Sequence, residues 1–316
     1  MSTAAAASGP VLVFGLGYTA RRIAAALVAA GVPCTGTTRA VAAVPPDDGI
    51  ARLPFPADDN HALRQAAAQA RVLLSSIPPD ADGDPAARFL AASGIALPRL
   101  GWLGYLSSTA VYAGRDGGSV DADTPADGTD ATAHARLAAE AQWRALAAAQ
   151  AVPLHLFRLA GIYGPGRNAL VQLAQGRARW LDRPDVLFNR IHVDDIVAAV
   201  LAALAALAAG LPAGPHVWPL ADGHPATQRT VLEHAAALSG LPMPPALAED
   251  DPQVSPALRR FYAGSKRIDS RHARQRLGWV PRFPGYREGL AAAWADMSDG
   301  DGGSVPPATP PVADIG

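Results

Sequence analysis

The residues best placed for chemistry stand near the start of the chain. Gly15 and Gly17 follow a short apolar run, Val11 to Phe14, and Ala20 stands three places further on, at the head of an alanine-rich stretch. The spacing Gly-x-Gly-x-x-Ala is that of a turn that cradles a nucleotide phosphate. Glycine at the first position permits the positive φ of a tight turn, glycine at the second lets the backbone approach a pyrophosphate, and alanine at the third still allows close helix–strand packing. The helix that follows would present its first amides, those of Tyr18, Thr19 and Ala20, to the anion. The second apolar run ends in Thr37-Thr38-Arg39, with no acidic residue before Asp47. A carboxylate there would bond a ribose 2′-hydroxyl, whereas the Arg39 guanidinium suits a 2′-phosphate bidentately. NADP is therefore the expected cofactor, with NAD as the alternative.

These residues need a scaffold, and the rest of the chain predicts one. Further apolar runs at Ile50 to Pro54, Arg71 to Ile77, Trp102 to Ser107 and Leu154 to Leu159 alternate with helices predicted over His61 to Ala70, Ala86 to Gly94 and Ala131 to Gln150. That rhythm is the βαβ pattern of an α/β fold with a doubly wound parallel sheet, an NAD(P)-binding Rossmann fold, whose ligand sits above the carboxyl ends of the strands. From Asn168 the elements shorten between Pro-rich joints such as Leu211 to Pro215 and Leu241 to Pro245. The expected organisation is a dinucleotide-binding domain over 10–167 and 187–220. A small C-terminal substrate lobe over 168–186 and 221–297 is interleaved with it, and 1–9 and 298–316 are expected to be disordered.

Composition narrows the function classes. Hydrophobic residues make up 49% of the 316 and charged residues 17%, with a net charge of −1. No Lys/Arg cluster accompanies an aromatic stripe, so a small-molecule partner is expected and no nucleic acid. Cys34 is the single cysteine, which excludes an intrachain disulfide and any multi-cysteine metal site. The apolar stretch Ile196 to Ala209 falls short of the roughly twenty residues of a membrane span and reads as a core helix. Met1 to Pro10 lacks the basic and apolar segments of a secretory signal, and a cytoplasmic location is expected.

Beyond the Gly15 turn, several motifs follow in a fixed order: Leu106-Ser107-Ser108-Thr109-Ala-Val111-Tyr112, Leu137-Ala-Ala-Glu140, Arg158-Leu-Ala-Gly-Ile-Tyr-Gly-Pro-Gly-Arg167, Asn189-Arg-Ile-His192-Val-Asp194-Asp195, and Lys266-Arg-Ile with Leu277-Gly-Trp279. In this order they resemble the extended short-chain dehydrogenase/reductase superfamily, and more narrowly bacterial proteins of the NAD-dependent epimerase/dehydratase family. The resemblance covers almost everything from Pro10 to about Trp294. It implies a parallel sheet of about seven strands and cofactor contacts at Ser75, Ser76, Ser107, Arg136 and Leu159. It further implies substrate-side roles for Tyr112, Tyr163, Arg167 and Arg190, and a homodimer paired through the helices around Ala86 and Ala131.

The family's chemistry implies a Ser or Thr, a Tyr as general acid/base, and a Lys that lowers the Tyr pKa. Ser108 takes the first place, but Thr132 stands where the Tyr belongs and Arg136 where the Lys belongs. No Tyr lies between Tyr112 and Tyr163. A threonine hydroxyl has no pKa near neutrality, and an arginine fork is a poor twin of an ammonium. His134 reads as a surface or helix-packing residue, since two places from Thr132 puts it on the far side of a helix. His192 with Asp194 and Asp195 lacks the further ligands of a metal site, and one of the two aspartates is expected to cap the helix that follows. No metal is expected. The leading reading is an NADP-dependent oxidoreductase or epimerase-like enzyme on a small polar or sugar-derived substrate; the alternative is a catalytically silent NADP-binding sensor or regulatory protein.

Overall fold

The first strand shows why the sheet is covered on both sides. Val11 and Val13 pack into one hydrophobic cluster, Leu12 and Phe14 into another, and all four are buried. Side chains alternate along a strand, so a run that is apolar at every position demands cover on each face, as parallel sheets have. The computed structural model describes residues 9–39, 47–56, 60–208, 211–212 and 214–299. In order, the chain runs β1 (Val11–Phe14), α1 (Tyr18–Ala29), β2 (Cys34–Thr38), β3 (Ile50–Pro54), α2 (His61–Gln69), β4 (Val72–Ser75), α3 (Pro85–Ser93), β5 (Trp102–Ser108), β6 (Ser119–Val120), α4 (Ala131–Gln150), β7 (Leu154–Leu159) and β8 (Gly161–Tyr163). It continues with α5 (Ala169–Ala174), β9 (Arg190–His192), α6 (Val193–Ala208), β10 (Pro215–Leu220), α7 (Gln228–Ser239), α8 (Pro256–Tyr262), β11 (Arg267–Ile268), α9 (Arg271–Leu277) and α10 (Tyr286–Asp299).

Seven strands form one sheet in the order β10-β7-β5-β4-β1-β2-β3, and every pairing in it is parallel. Strand order reverses between β1 and β4, so the crevice of a doubly wound sheet opens above their carboxyl ends. One face is packed by α1 and α6 through Ile23, Leu27, Ile196 and Val200, and the other by α2, α3 and α4 through Leu63, Leu90 and Trp143. Two smaller clusters are built from later parts of the chain: Leu170, Trp180, Leu232 and Leu290 in one, and Leu181, Val186, Phe188 and Tyr262 in the other.

Two local expectations need correction. The tail was expected to be disordered from 298, yet α10 runs to Asp299, and the Ser298 hydroxyl donates to the Trp294 carbonyl at 2.9 Å. Residues 1–8 and 300–316 lie outside the described residues. The start of α6 is not closed by an aspartate cap: His192 Nδ1 accepts the Asp194 amide at 3.2 Å, while the Asp195 carboxylate takes the amides of Arg282 and Phe283 and pins the C-terminal segment to the helix. Among the described residues, no helix is long and apolar enough to cross a membrane.

Candidate functional site

The turn after β1 has the geometry its glycines demand. Gly15 takes φ +82°, and a Cβ there would lie 2.8 Å from Ile77 Cγ1, so conformation and space both require glycine. Its amide donates to Thr37 Oγ1 at 2.9 Å, and the Leu16 amide to the Thr37 carbonyl at 2.8 Å, which ties the turn to the end of β2. Gly17 is the N-cap of α1 and has no side chain to cap it, and no acidic residue lies in the first turn. A Cβ at Gly17 would meet nothing within 4 Å. The amides of Tyr18, Thr19 and Ala20 have no intrahelical acceptor at this end of the helix, so an uncapped, positively polarised terminus faces open space at the switch point. That is the arrangement an oxygen anion fills.

Tyr18 walls this turn. Its hydroxyl donates to the Pro165 carbonyl at 3.0 Å, and its ring lies 4.2 Å from the Arg22 guanidinium and 5.8 Å from that of Arg167. Arg39 is exposed just beyond β2 and makes no hydrogen bond or ion pair to a described residue.

The serines at the ends of β4 and β5 divide by parity. Ser75 is fully buried and donates to Asp84 Oδ2 at 2.7 Å, where Trp143 Nε1 also donates at 3.0 Å, while Asp84 Oδ1 caps α3 through the Ala86 and Ala87 amides. Burial raises the Asp84 pKa in spite of these donors. Ser107 is likewise buried and donates to Glu140 Oε1 at 2.7 Å. Both were expected to contact the cofactor. Strand alternation instead turns their hydroxyls to the face covered by α3 and α4, the face of Leu73 and Tyr105. Their neighbours have the opposite parity: Ser76 is half-buried with no hydroxyl partner among the described residues, and Ser108 is half-buried, its oxygen accepting the Ala110 amide at 3.1 Å and its proton left to donate. Leu159 pairs with Ser108 across β5 and β7.

Thr132 and Arg136 lie one turn apart on α4, which packs on β5 and is capped by Asp130 through the Ala133 amide at 2.9 Å. Thr132 is half-buried. Arg136 is buried, with Nη1 donating to the Tyr105 hydroxyl at 3.3 Å and the Leu106 carbonyl at 3.2 Å, and its Nε has no partner. An unengaged buried N–H at the end of β5 is a donor awaiting an acceptor.

Three of the four residues expected on the substrate side are engaged within the fold. The buried Tyr112 hydroxyl donates to the Asp121 carbonyl at 2.8 Å and accepts from Arg158 Nη1 at 3.0 Å; Tyr163, also buried, donates to the Gly285 carbonyl at 3.0 Å. Arg190 donates to the Phe188 and Ala226 carbonyls and to Gln228 Oε1, and burial lowers its pKa to about 10. These side chains pin loops together, which is how a fold satisfies long polar groups that it buries. Arg167 alone of the four is exposed. His134 is also exposed, and no group of three or more His, Cys, Asp or Glu among the described residues is placed to hold a metal ion.

Two groups gain importance that the sequence did not assign them. Asp222, just past β10, is buried with Oδ2 unpartnered, and burial raises its pKa to about 7. Lys266 reaches the turn after β5, donating from Nζ to the Tyr112 carbonyl at 2.6 Å. Its being the only lysine in the chain was the available signal.

A conserved protein of unknown function from Silicibacter pomeroyi DSS is 37% identical to this chain, with a TM-score of 0.78, and the match covers 91% of this chain and 99% of that one. The chain belongs to that protein's family. The chain shares a wider fold with MoeE5, solved in complex with UDP-glucuronic acid and NAD (22% identity, TM-score 0.72, 92% of this chain and 100% of that one). UDP-glucuronic acid 4-epimerase from Bacillus cereus, solved in complex with NAD, has it too (15% identity, TM-score 0.72, 94% of this chain and 98% of that one). At these identities the likeness is one of fold, and it is the α/β Rossmann-like fold that the motif order implied. No family model matches the sequence, and no curated protein matches it.

Proposed function

We propose that this protein binds a nicotinamide dinucleotide, NADP in preference to NAD, and acts as an oxidoreductase or epimerase-like enzyme on a small polar or sugar-derived substrate. The carrying observation is the uncapped start of α1, open at Gly17, at the switch point of the sheet. The exposed, unpaired Arg39 beyond β2 supports the choice of NADP, because its fork matches a 2′-phosphate. A bound dinucleotide supplies hydride chemistry. The chain's own contribution is positional: the amides of α1 hold the pyrophosphate, the Ser108 proton meets a substrate oxygen, and Arg136 Nε offers a donor beside β5.

The same positions favour a second reading, a catalytically silent NADP-binding sensor. Thr132 offers no titrating proton where the resembled family has a Tyr, and the Arg136 guanidinium is partly held by Tyr105 and Leu106. Either reading is compatible with a homodimer paired through α3 and α4, which a solution mass measurement tests.

Fluorescence titration with NADPH and NADH decides the cofactor. Tighter NADPH binding is expected, with Arg39→Ala weakening NADPH roughly tenfold or more, the scale of a lost charge-assisted pair, and leaving NADH unchanged. Equal affinities in the wild type would sink the NADP reading. Screening the NADPH-loaded protein for turnover of carbonyl compounds and sugar nucleotides separates enzyme from sensor.

A further inference from the structure

Lys266 is brought to the crevice from the far end of the sequence. Its carbonyl accepts from Asn189 Nδ2 at 2.7 Å; Asn189 Oδ1 holds the Ile268 amide, and the Asn189 carbonyl takes the Gly161 amide at 3.0 Å, just past the end of β7. From that anchorage the side chain spans to the Tyr112 carbonyl, on the turn that Ser108 opens at the end of β5. The amine therefore stands at the turn that follows β5, the strand that ends at Ser108.

Its charge is poorly answered there. An ammonium carries three donors, and the Tyr112 carbonyl engages one. The charged groups that face it are Arg115, Asp130 and Asp127. Both carboxylates are committed elsewhere: Asp127 grips Arg115 at 2.8 Å and takes the Ala113 amide, and Asp130 caps α4. Neither forms an ion pair with Lys266. Burial, and then the like charge of Arg115, lower the pKa of the amine, and the two carboxylates offset this only in part. A half-buried cation whose amine bonds one protein carbonyl and no carboxylate is one that an arriving anion would stabilise.

We propose that Lys266 is a substrate-binding cation of this site and that the substrate carries an oxygen anion, a carboxylate or a phosphate ester, which docks on its amine above the end of β5. The proposal rests on reading the crevice as a dinucleotide-dependent site and adds the class of its second ligand. It concerns binding, not proton transfer.

The single lysine makes the test direct. Tag-free protein grown with lysine labelled with carbon-13 at the ε position gives one lysine side-chain resonance, and Lys266→Met assigns it by removal. Its titration midpoint is read alone, with acetate and with inorganic phosphate, each with and without saturating NADPH. An anion on the amine favours its charged form, so the midpoint should rise by about one unit with the accepted class. A rise with acetate alone marks a carboxylate site, with phosphate alone a phosphate site, and with both an oxygen-anion site without preference. A midpoint that neither anion moves, in protein that binds NADPH, overturns the proposal and leaves the dinucleotide reading standing. A shifted midpoint in protein that does not bind NADPH does the reverse. Phosphate held only at the α1 turn leaves the resonance in place and counts against the proposal.

Discussion

Arg158 and Glu140 form a buried, two-pronged ion pair, Nε to Oε1 at 3.0 Å and Nη2 to Oε2 at 2.7 Å, beneath the strand ends where the candidate site lies. Ser107 also donates to Glu140, the other arm of Arg158 bonds the Tyr112 hydroxyl, and the guanidinium carbon lies 4.9 Å from the centre of that ring. One buried network thus fixes both the end of β5 and the turn after it. Glu140→Gln leaves a guanidinium uncompensated and should cost about 3–5 kcal/mol, read by urea denaturation. The double variant Glu140→Leu/Arg158→Met should recover most of that loss. A single variant as stable as wild type would show that the pair does not hold the strand ends.

The two glycines of the cradle should separate folding from binding. Gly17→Ala adds a methyl into open space, so its melting temperature should stay close to wild type while dinucleotide affinity falls, because the methyl occupies the approach of the pyrophosphate. Gly15→Ala meets Ile77 at a left-handed φ and should lower stability by roughly 1 kcal/mol or more. Unchanged NADPH binding in Gly17→Ala would place the phosphate elsewhere.

Asp222 predicts a pH dependence of stability. Its folded pKa of about 7 lies above the unfolded carboxyl value, so between these the folded chain holds a proton that the unfolded chain releases. The contribution is full below roughly pH 4 and is lost as pH rises through about 7, on the order of 4 kcal/mol at most. Asp222→Asn should flatten that part of the profile, measured as denaturation midpoints from pH 4 to 8. Parallel profiles for variant and wild type would refute the assignment.

Cys34 is buried in β2, and burial raises its thiol pKa to about 11. Thiol reagents should therefore leave the native protein untouched at neutral pH and label one site per chain in denaturant. Rapid native labelling would mean that the edge strand β3 opens away from β2.

Much of the scaffold was legible because it depends on local pattern. β3 and α4 were predicted with the bounds observed, since an apolar run between loops and a long alanine-rich segment carry their own signals. The positive φ of Gly15 followed from the motif. The direction of individual side chains was not legible. Ser75 and Ser107 look like site residues by position, yet one step of strand parity sends each to Asp84 or Glu140, and parity at a strand end is set by which helix covers which face. Tyr112, Tyr163 and Arg190 have the right chemistry for a substrate wall, but their acceptors are carbonyls such as those of Asp121, Gly285 and Ala226, fixed only by tertiary folding. Lys266 was visible only as the sole lysine and as part of a motif, because its reach to Tyr112 crosses 154 positions.

The bond from the Gly15 amide to Thr37 Oγ1 bears on how the proposed cofactor preference could be changed. On the proposed reading, the end of β2, which would discriminate a dinucleotide's ribose, is bolted to the turn that would grip its phosphates. Residue 39 is therefore open to exchange, whereas residue 37 is not: a swap there would retune selectivity and loosen the grip at once. Under the proposed NADP reading, a designer seeking an NAD-selective variant should alter Arg39 and keep Thr37.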